Sequence, residues 1–494
     1  MAAEQQWFLK KLGDLEIEDD KIEILTEIKS RLDTTTSFEI TSNFLTQSQI
    51  YDCAYDKSEE QSQLVYDILA LCLSTLDINR TDFSKHLIKS LKHRNPKIRA
   101  LALEEIYKNL SKNSASVGLT DNLNLDQDIT LLVLKSLGDD ETEVAGPAIK
   151  ILSIILRKQL ENSIIRDAFK SKLEERDVVK IRVYEVAVNL SKSDSSLLFQ
   201  LQDILASMLK ELDSDDILFQ MNLLELLVSL AEQNHGFLFL EDKKIFDKIA
   251  ARIETIEQDP LVQLLIPGFM KFFGKVAFYH PKKILEGYPK IISYLFSSFT
   301  NIDTNILPVA LDTIGNIAYP AEGKIILDEK FPEQMKETME EYLFLLRNLP
   351  TDVKCRVFSS LQMVFTHEDP PNNRIDLITN KWCSSLVNSE HDLSALMEYC
   401  KNPFPDIKIS CLTFIRTLCS YRWGVDAVKN TASLLEFLLD RSVEFDKNVK
   451  FIKFEVISVL AETDLFDTST LLQLKKYVAE GPYFIEPVME IAVD

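Results

Sequence analysis

A short turn followed by an amphipathic helix recurs along this chain at near-regular intervals, and that recurrence limits the fold more than any other feature. The clearest copy is Arg176-Asp-Val-Val-Lys-Ile-Arg-Val-Tyr-Glu-Val-Ala-Val-Asn-Leu-Ser191. Asp177 stands where an N-cap would accept from the free amides of a first helical turn. Val179, Val183, Val186 and Leu190 follow at helical spacing as one apolar stripe, with Lys180, Arg182, Glu185 and Asn189 on the other faces. Such a helix cannot bury its stripe alone; it needs neighbours, and repetition supplies them. Copies start at Asn95-Pro-Lys-Ile-Arg, Glu141-Thr-Glu-Val, Ser214-Asp-Asp-Ile, Asp259-Pro-Leu-Val, Asp303-Thr-Asn-Ile, Pro350-Thr-Asp-Val, Pro405-Asp-Ile-Lys and Asp446-Lys-Asn-Val. Ile98 and Val449 anchor the first and last copies, eight steps apart at about 44 residues per step, the spacing of HEAT and armadillo repeats. The reading is all-α: a HEAT/armadillo-like α-solenoid superhelix.

A chain of 494 residues would otherwise suggest about three globular domains joined by linkers. With 12 Gly and 16 Pro there is little material for linkers. A solenoid removes the conflict, because each repeat packs on its neighbours and no single core caps the length. The expected organisation is one continuous array: a divergent helical cap over 1–80, repeats over 81–461, and a capping helix and tail over 462–494. First helices of the repeats are expected at Asp126–Leu137, Ser195–Leu212, Pro281–Phe299, Pro332–Arg347 and Val425–Asp440. The cap should hold a hairpin broken near Gly13-Asp14 and a clear helix over Glu59–Leu76. Longer loops fall at Ser111–Asp126 and Thr366–Arg374, and the apolar tail from Tyr483 should pack on the last repeat or anchor a partner.

A net charge of −22 argues against phosphate-backbone binding, which needs clustered Lys and Arg. It serves solubility, or attracts basic partners. Seven scattered Cys without a Cys-x-x-Cys pair read as reduced, buried thiols, so the expected location is cytoplasmic or nuclear. Met1-Ala-Ala-Glu has no basic n-region or apolar h-region, and no charge-free run of about 18 apolar residues exists, so no signal peptide and no membrane span are expected.

If stacked helices align, the polar positions of successive second helices form one stripe on the inner surface, where solenoids hold partners. The candidate partner-binding residues are Glu185, Asn189, Asn222, Glu225, Lys271, Lys275, Asp312 and Asn316, continued at Glu104, Lys108, Lys150, Gln362 and Arg416. Lys271 and Lys275 lie in the unusually apolar segment Leu261–Phe278, with Lys282, Lys283 and Lys290 following; they could receive an acidic partner segment or only support solubility. Arg99, Lys180, Arg182, Lys354, Arg356 and Lys408 recur early in the second helices and are expected to ladder with Asp177, Asp352 and Asp406 of adjacent turns.

Catalytic, cofactor and metal residues are expected to be none. The six His are dispersed, and Cys383, His391 and Cys400 have spacings that match no zinc framework. There is no Gly-rich phosphate loop, no Gly-x-Ser-x-Gly elbow and no His-Glu-x-x-His. The acidic run Asp139–Glu143 lacks the ligand alternation of a calcium loop.

Several strings, in order and spread over about two thirds of the chain, resemble one family, the 26S proteasome non-ATPase regulatory subunit 5 chaperones. They are Ile181-Arg-Val-Tyr-Glu-Val186, Pro267-Gly-Phe-Met-Lys-Phe-Phe-Gly274, Val309-Ala-Leu-Asp-Thr-Ile-Gly315, Asn402-Pro-Phe-Pro405, Asp440-Arg-Ser-Val-Glu-Phe-Asp-Lys447 and Ala479-Glu-Gly-Pro-Tyr483. The resemblance implies a solenoid chaperone of proteasome base assembly. Its partners would be AAA-type ATPase subunits, bound through their C-terminal region on the concave surface, and a large scaffold subunit; it would leave before the mature particle forms. Periodicity alone reaches only a protein-holding scaffold, so an importin-like or phosphatase-type scaffold is the alternative. Armadillo importins use a Trp and Asn ladder on inner helices, whereas Trp7, Trp382 and Trp423 fall outside the second helices here.

Overall fold

The structure, a computed structural model, describes residues 2–17, 21–34, 41, 44–54, 58–75, 83–115, 125–254, 260–300, 305–366, 372–389 and 391–484. The turns at Asp259 and Asp303, the middles of both expected long loops and the tail beyond Phe484 lie outside these residues. The chain forms two compact units, one of residues 1–230 with 234–236, the other of residues 231–233 with 237–494. The described elements are helices joined by turns.

In the first unit the second helices Pro96–Ala115, Thr142–Gln159 and Asp177–Ser193 pack side by side in chain order, after Lys21–Leu32 and Glu59–Ser74. First helices Phe83–Leu91, Gln127–Ser136 and Ser163–Ser171 make a parallel layer against them. The second unit repeats the scheme. Pro260–Tyr279, Leu307–Ala318, Thr351–Val364, Pro405–Leu418, Lys447–Ala461 and finally Thr468–Glu480 stack in order, backed by Pro289–Thr300, Pro332–Asn348, Asn373–Val387 and Arg422–Asn430. Each unit is thus a two-layered stack of helix pairs, an α-solenoid arrangement in which every apolar stripe is shared with the next repeat.

Local chemistry sets the helix starts. Ser58, Asn162, Asp194, Asn372, Asp446 and Asp467 each cap a helix by accepting from an amide two or three residues on. Asp177 does not: the helix starts at Asp177 itself, Arg176 holds the cap position without a side-chain bond, and the carboxylate pairs with Lys180 at 2.9 Å. The first helix runs unbroken through Gly13-Asp14, from Ala2 to Ile17. Three expected first helices are split. Ser195–Leu212 divides at Leu201, Pro281–Phe299 at Tyr288-Pro289, and Val425–Asp440 around Ser433, which sits at φ 66°.

The core lies between the layers. In the first unit Val179, Val183, Tyr184, Val186 and Leu190 are fully buried. In the second, Phe237 and Phe246 stack at 4.9 Å, Phe246 meets Phe272 at 5.7 Å, and Phe273 meets Tyr288 at 5.4 Å. Each such side chain contributes about 1.5–3 kcal/mol by burial. Gly274 lets the Pro260 and Leu307 helices touch: a Cβ there would stand 2.9 Å from Thr313 Cγ2. Trp382 and Trp423 lie in first-layer helices and Trp7 in the first helix of the chain, none of them in a second helix.

Candidate partner-binding face

The second helices of each unit turn one side to the first-helix layer and leave the other free. Because neighbours pack in register, polar residues at matching turns are brought together across repeats rather than along one helix. In the first unit the Lys150 ammonium sits 5.6 Å from the Tyr107 ring centroid, and Asn189 Nδ2 donates to Ser153 Oγ at 3.4 Å. In the second, Arg356 pairs with Asp312, Gln362 donates to the Ser410 carbonyl at 3.2 Å, and Arg416 Nη1 reaches Glu455 at 2.5 Å.

None of the eight candidate residues points into the core. Asn222, Glu225 and Lys271 are exposed; Glu185, Asn189, Lys275, Asp312 and Asn316 are half-buried. Burial holds the Glu185 carboxyl above its ordinary range, against the opposing pull of Arg182. Four of them (Glu185, Asn189, Asn222, Glu225) belong to the first unit and four to the second.

On this face of the second unit a groove of about 660 Å³ opens between the Pro405 and Lys447 helices. Phe451, Phe454, Ser458 and Val459 line it from the Lys447 helix, Thr417 and Ser420 from the Pro405 helix and its end, and the Arg416–Glu455 pair joins the two. Phe451 is 46% exposed. Sequence reasoning reached Arg416 but missed Phe451 and Glu455. They lie on a neighbouring helix some 40 residues away, and no periodicity within one helix links them.

The basic residues early in the second helices do ladder between repeats; of the expected partners Asp177 pairs with Lys180 inside its own helix, while the bonds between repeats go to other groups. Arg99 grips Asp139 with Nε at 2.8 Å and Nη2 at 3.0 Å, Lys180 adds Glu211 at 3.5 Å, and Lys408 makes a buried pair with Glu444 at 2.8 Å. Arg182, expected on an exposed face, is 8% exposed and donates to the carbonyls of Leu137 and Asp139 at 2.7 and 2.6 Å. Histidines serve the same end: the Nε2 of His235 meets the Ser191 carbonyl and that of His280 the Ala231 carbonyl, each at 2.7 Å. Among the described residues no group of three His, Cys, Asp or Glu is arranged to hold a metal, and no helix is long and apolar enough to cross a membrane.

The sequence matches the family described as Proteasome non-ATPase 26S subunit over residues 4–494. Three relatives carry the name 26S proteasome non-ATPase regulatory subunit 5. The Drosophila melanogaster protein is 33% identical over 504 residues, covering 100% of this chain and 99% of its own. The Bos taurus protein is 28% identical, with coverage of 100% and 99%, and the Homo sapiens protein 29%, with coverage of 84% and 83%. Among solved structures, Kap95p from a complex with RanGDP aligns at a TM-score of 0.55 and 12% identity, over 94% of this chain and 58% of that one. A Kap95:Nup1 complex aligns at 0.56 and 10%, over 93% and 57%. At such identity these two establish the fold alone: a HEAT/armadillo-like α-solenoid.

Proposed function

The chain belongs to the Proteasome non-ATPase 26S subunit family, and from that membership we propose that it is an assembly chaperone of the proteasome regulatory-particle base. It holds AAA-type ATPase subunits through their C-terminal helical regions on the free face of its second helices, alongside a large scaffold subunit. It leaves before the 26S particle is complete. It works by binding rather than by chemical catalysis, in the cytoplasm or nucleus.

The observation that carries this reading is the free face itself. Its polar side chains are already fixed by bonds between repeats, such as Asn189 to Ser153 and Arg416 to Glu455, so little side-chain freedom is lost when a partner lands. A long array of such positions can grip an extended surface while each local contact stays weak enough to release. The names of the relatives support the same direction by placing regulatory subunit 5 proteins with the 26S proteasome.

The test is affinity capture of the tagged full chain from cell extract, with mass spectrometry of what is retained. Two base ATPases and a scaffold subunit, without the mature core particle, are the expected result. Retention of intact 26S particles, or of transport receptors or phosphatase catalytic subunits in place of the ATPases, would overturn the proposal.

A further inference from the structure

In the first unit a groove of about 470 Å³ opens where Glu59–Ser74, Pro96–Ala115 and Thr142–Gln159 pack side by side. Each helix contributes one distinctive group. Tyr66, half-buried, comes from the first, Glu104 from the second, and Glu143 with Pro147 from the third. Burial, then Glu104, Asp67 and Glu143, push the Tyr66 hydroxyl up, so these carboxylates act on the ring position together.

Several other carboxylates near the second helices of this unit are neutralised: Asp139 by Arg99, Glu105 by Lys108, Glu211 by Lys180. Asp67 is likewise taken, by Lys29 at 2.5 Å and the Gln63 amide at 2.9 Å. Glu104 and Glu143 are exposed and make no ion pair among the described residues, although Lys97 lines the same groove. Pro147 adds a further acceptor. Inside a helix it has no amide hydrogen for the carbonyl four residues back, which is that of Glu143.

We infer that this groove receives an arginine side chain from a basic segment of a protein partner. Two carboxylates from different helices match the donor fork of a guanidinium, and a flat aromatic ring at the same place suits its planar face. An ammonium is a point charge and would use only part of this arrangement. The strongly acidic chain adds long-range attraction for such a segment. The inference rests on the reading of this face as a partner-holding surface and names the chemistry presented there.

The probe is a fluorescein-labelled Gly-Gly-Arg-Arg-Gly-Gly peptide titrated with the full chain, read by anisotropy. E104Q/E143Q should weaken binding about tenfold or more, since each charge-assisted bond lost is worth about that factor. E333Q/E337Q removes the same charge from an exposed helix of the other unit and should change binding less than about twofold. Y66L should weaken binding with an unchanged helical circular-dichroism spectrum, and the same peptide with Lys for Arg should bind more weakly. Equal weakening by both double variants, or no binding by the wild type, would overturn the inference. Loss of ATPase capture with arginine binding intact would instead sink the assembly reading and leave the groove standing.

Discussion

Arg182 reaches back 43 residues to donate to the Asp139 carbonyl at 2.6 Å. The same nitrogen meets the Leu137 carbonyl, and from the other side Arg99 holds the Asp139 carboxylate with two bonds. One turn, Leu137 to Asp140, is therefore clamped by the repeat before it and the repeat after it. Carbonyls left over at the end of the Gln127–Ser136 helix need donors in any case. By taking them from Arg182, the chain converts a local need into a bond between repeats.

Removing that guanidinium should be costly. R182M leaves two carbonyls without their charged donor in a mostly buried place, and a loss of about 2–3 kcal/mol is expected. R182K keeps the charge, but its ammonium ends on a shorter stem than the guanidinium nitrogen that meets both carbonyls, and it should fall between. Urea denaturation gives the magnitude. Hydrogen exchange over 137–141 gives the location, and unchanged exchange there would contradict the clamp.

Two glycines make a matched pair. At Gly274 a Cβ would press on Thr313 at 2.9 and 3.1 Å, so G274A should force the Pro260 and Leu307 helices apart at a cost of about 1–3 kcal/mol. At Gly13, inside the Ala2–Ile17 helix, a Cβ would meet nothing within 4 Å. G13A should stabilise by about 0.5–1 kcal/mol through helix propensity. Melting temperatures of opposite shift check both at once.

The thiols should divide by burial. Cys53, Cys72, Cys383, Cys400, Cys411 and Cys419 are buried, and only Cys355 is partly exposed. Burial pushes Cys72, Cys383 and Cys419 up to about 12, which leaves almost no thiolate at neutral pH. A disulfide reagent should label one thiol per native chain promptly and the remaining six only on unfolding. Fast labelling of several would mean that the repeats open readily.

The second helices were legible because apolar residues at 3.6-residue spacing leave little choice: Leu261–Phe278 was expected and Pro260–Tyr279 is found. The first helices were harder, since their stripes continue across real breaks. The break at Tyr288-Pro289 carries a signal, because a residue before proline disfavours helical backbone, but the flanking apolar pattern hides it. The break at Ser433 has none, as serine rarely adopts φ 66°. Arg182 was misplaced for a different reason. Its acceptors are backbone carbonyls, which have no side-chain signature, so a charged residue on a helix reads as exposed when it is not.

The groove beside Phe451 offers a test of the proposed partner face. Phe451 is half in solvent, so F451A should cost under about 1 kcal/mol of stability. If the groove holds an apolar anchor of the base ATPases, the same change should weaken their capture about tenfold or more, as truncating a central anchor does. R416E should weaken capture as well, and R416E/E455R, which restores the pair, should recover much of it. Capture that ignores all three variants would move the interface elsewhere.

Lys453 gives the chain a specific dependence on alkaline pH. It is 1% exposed, donates from Nζ to the Asp440 carbonyl at 2.7 Å and lies 4.5 Å from the Phe437 ring centroid. Glu444 and Asp440 favour its charge, Lys408 and Arg441 oppose it, and burial outweighs them all, lowering it from 10.5 to about 8. Between those two values the unfolded chain holds a proton that the folded chain has released. Raising the pH through that window therefore favours the fold, and below about pH 8 both states are protonated and this slope disappears. Other lysines and tyrosines titrate over the same range, so the quantity to measure is wild type against K453M in urea at each pH. The wild type should gain about 3 kcal/mol on the variant from pH 8 to 10.5. A flat difference would show that Lys453 keeps its ordinary affinity for the proton, with water reaching it behind the Asp440 turn.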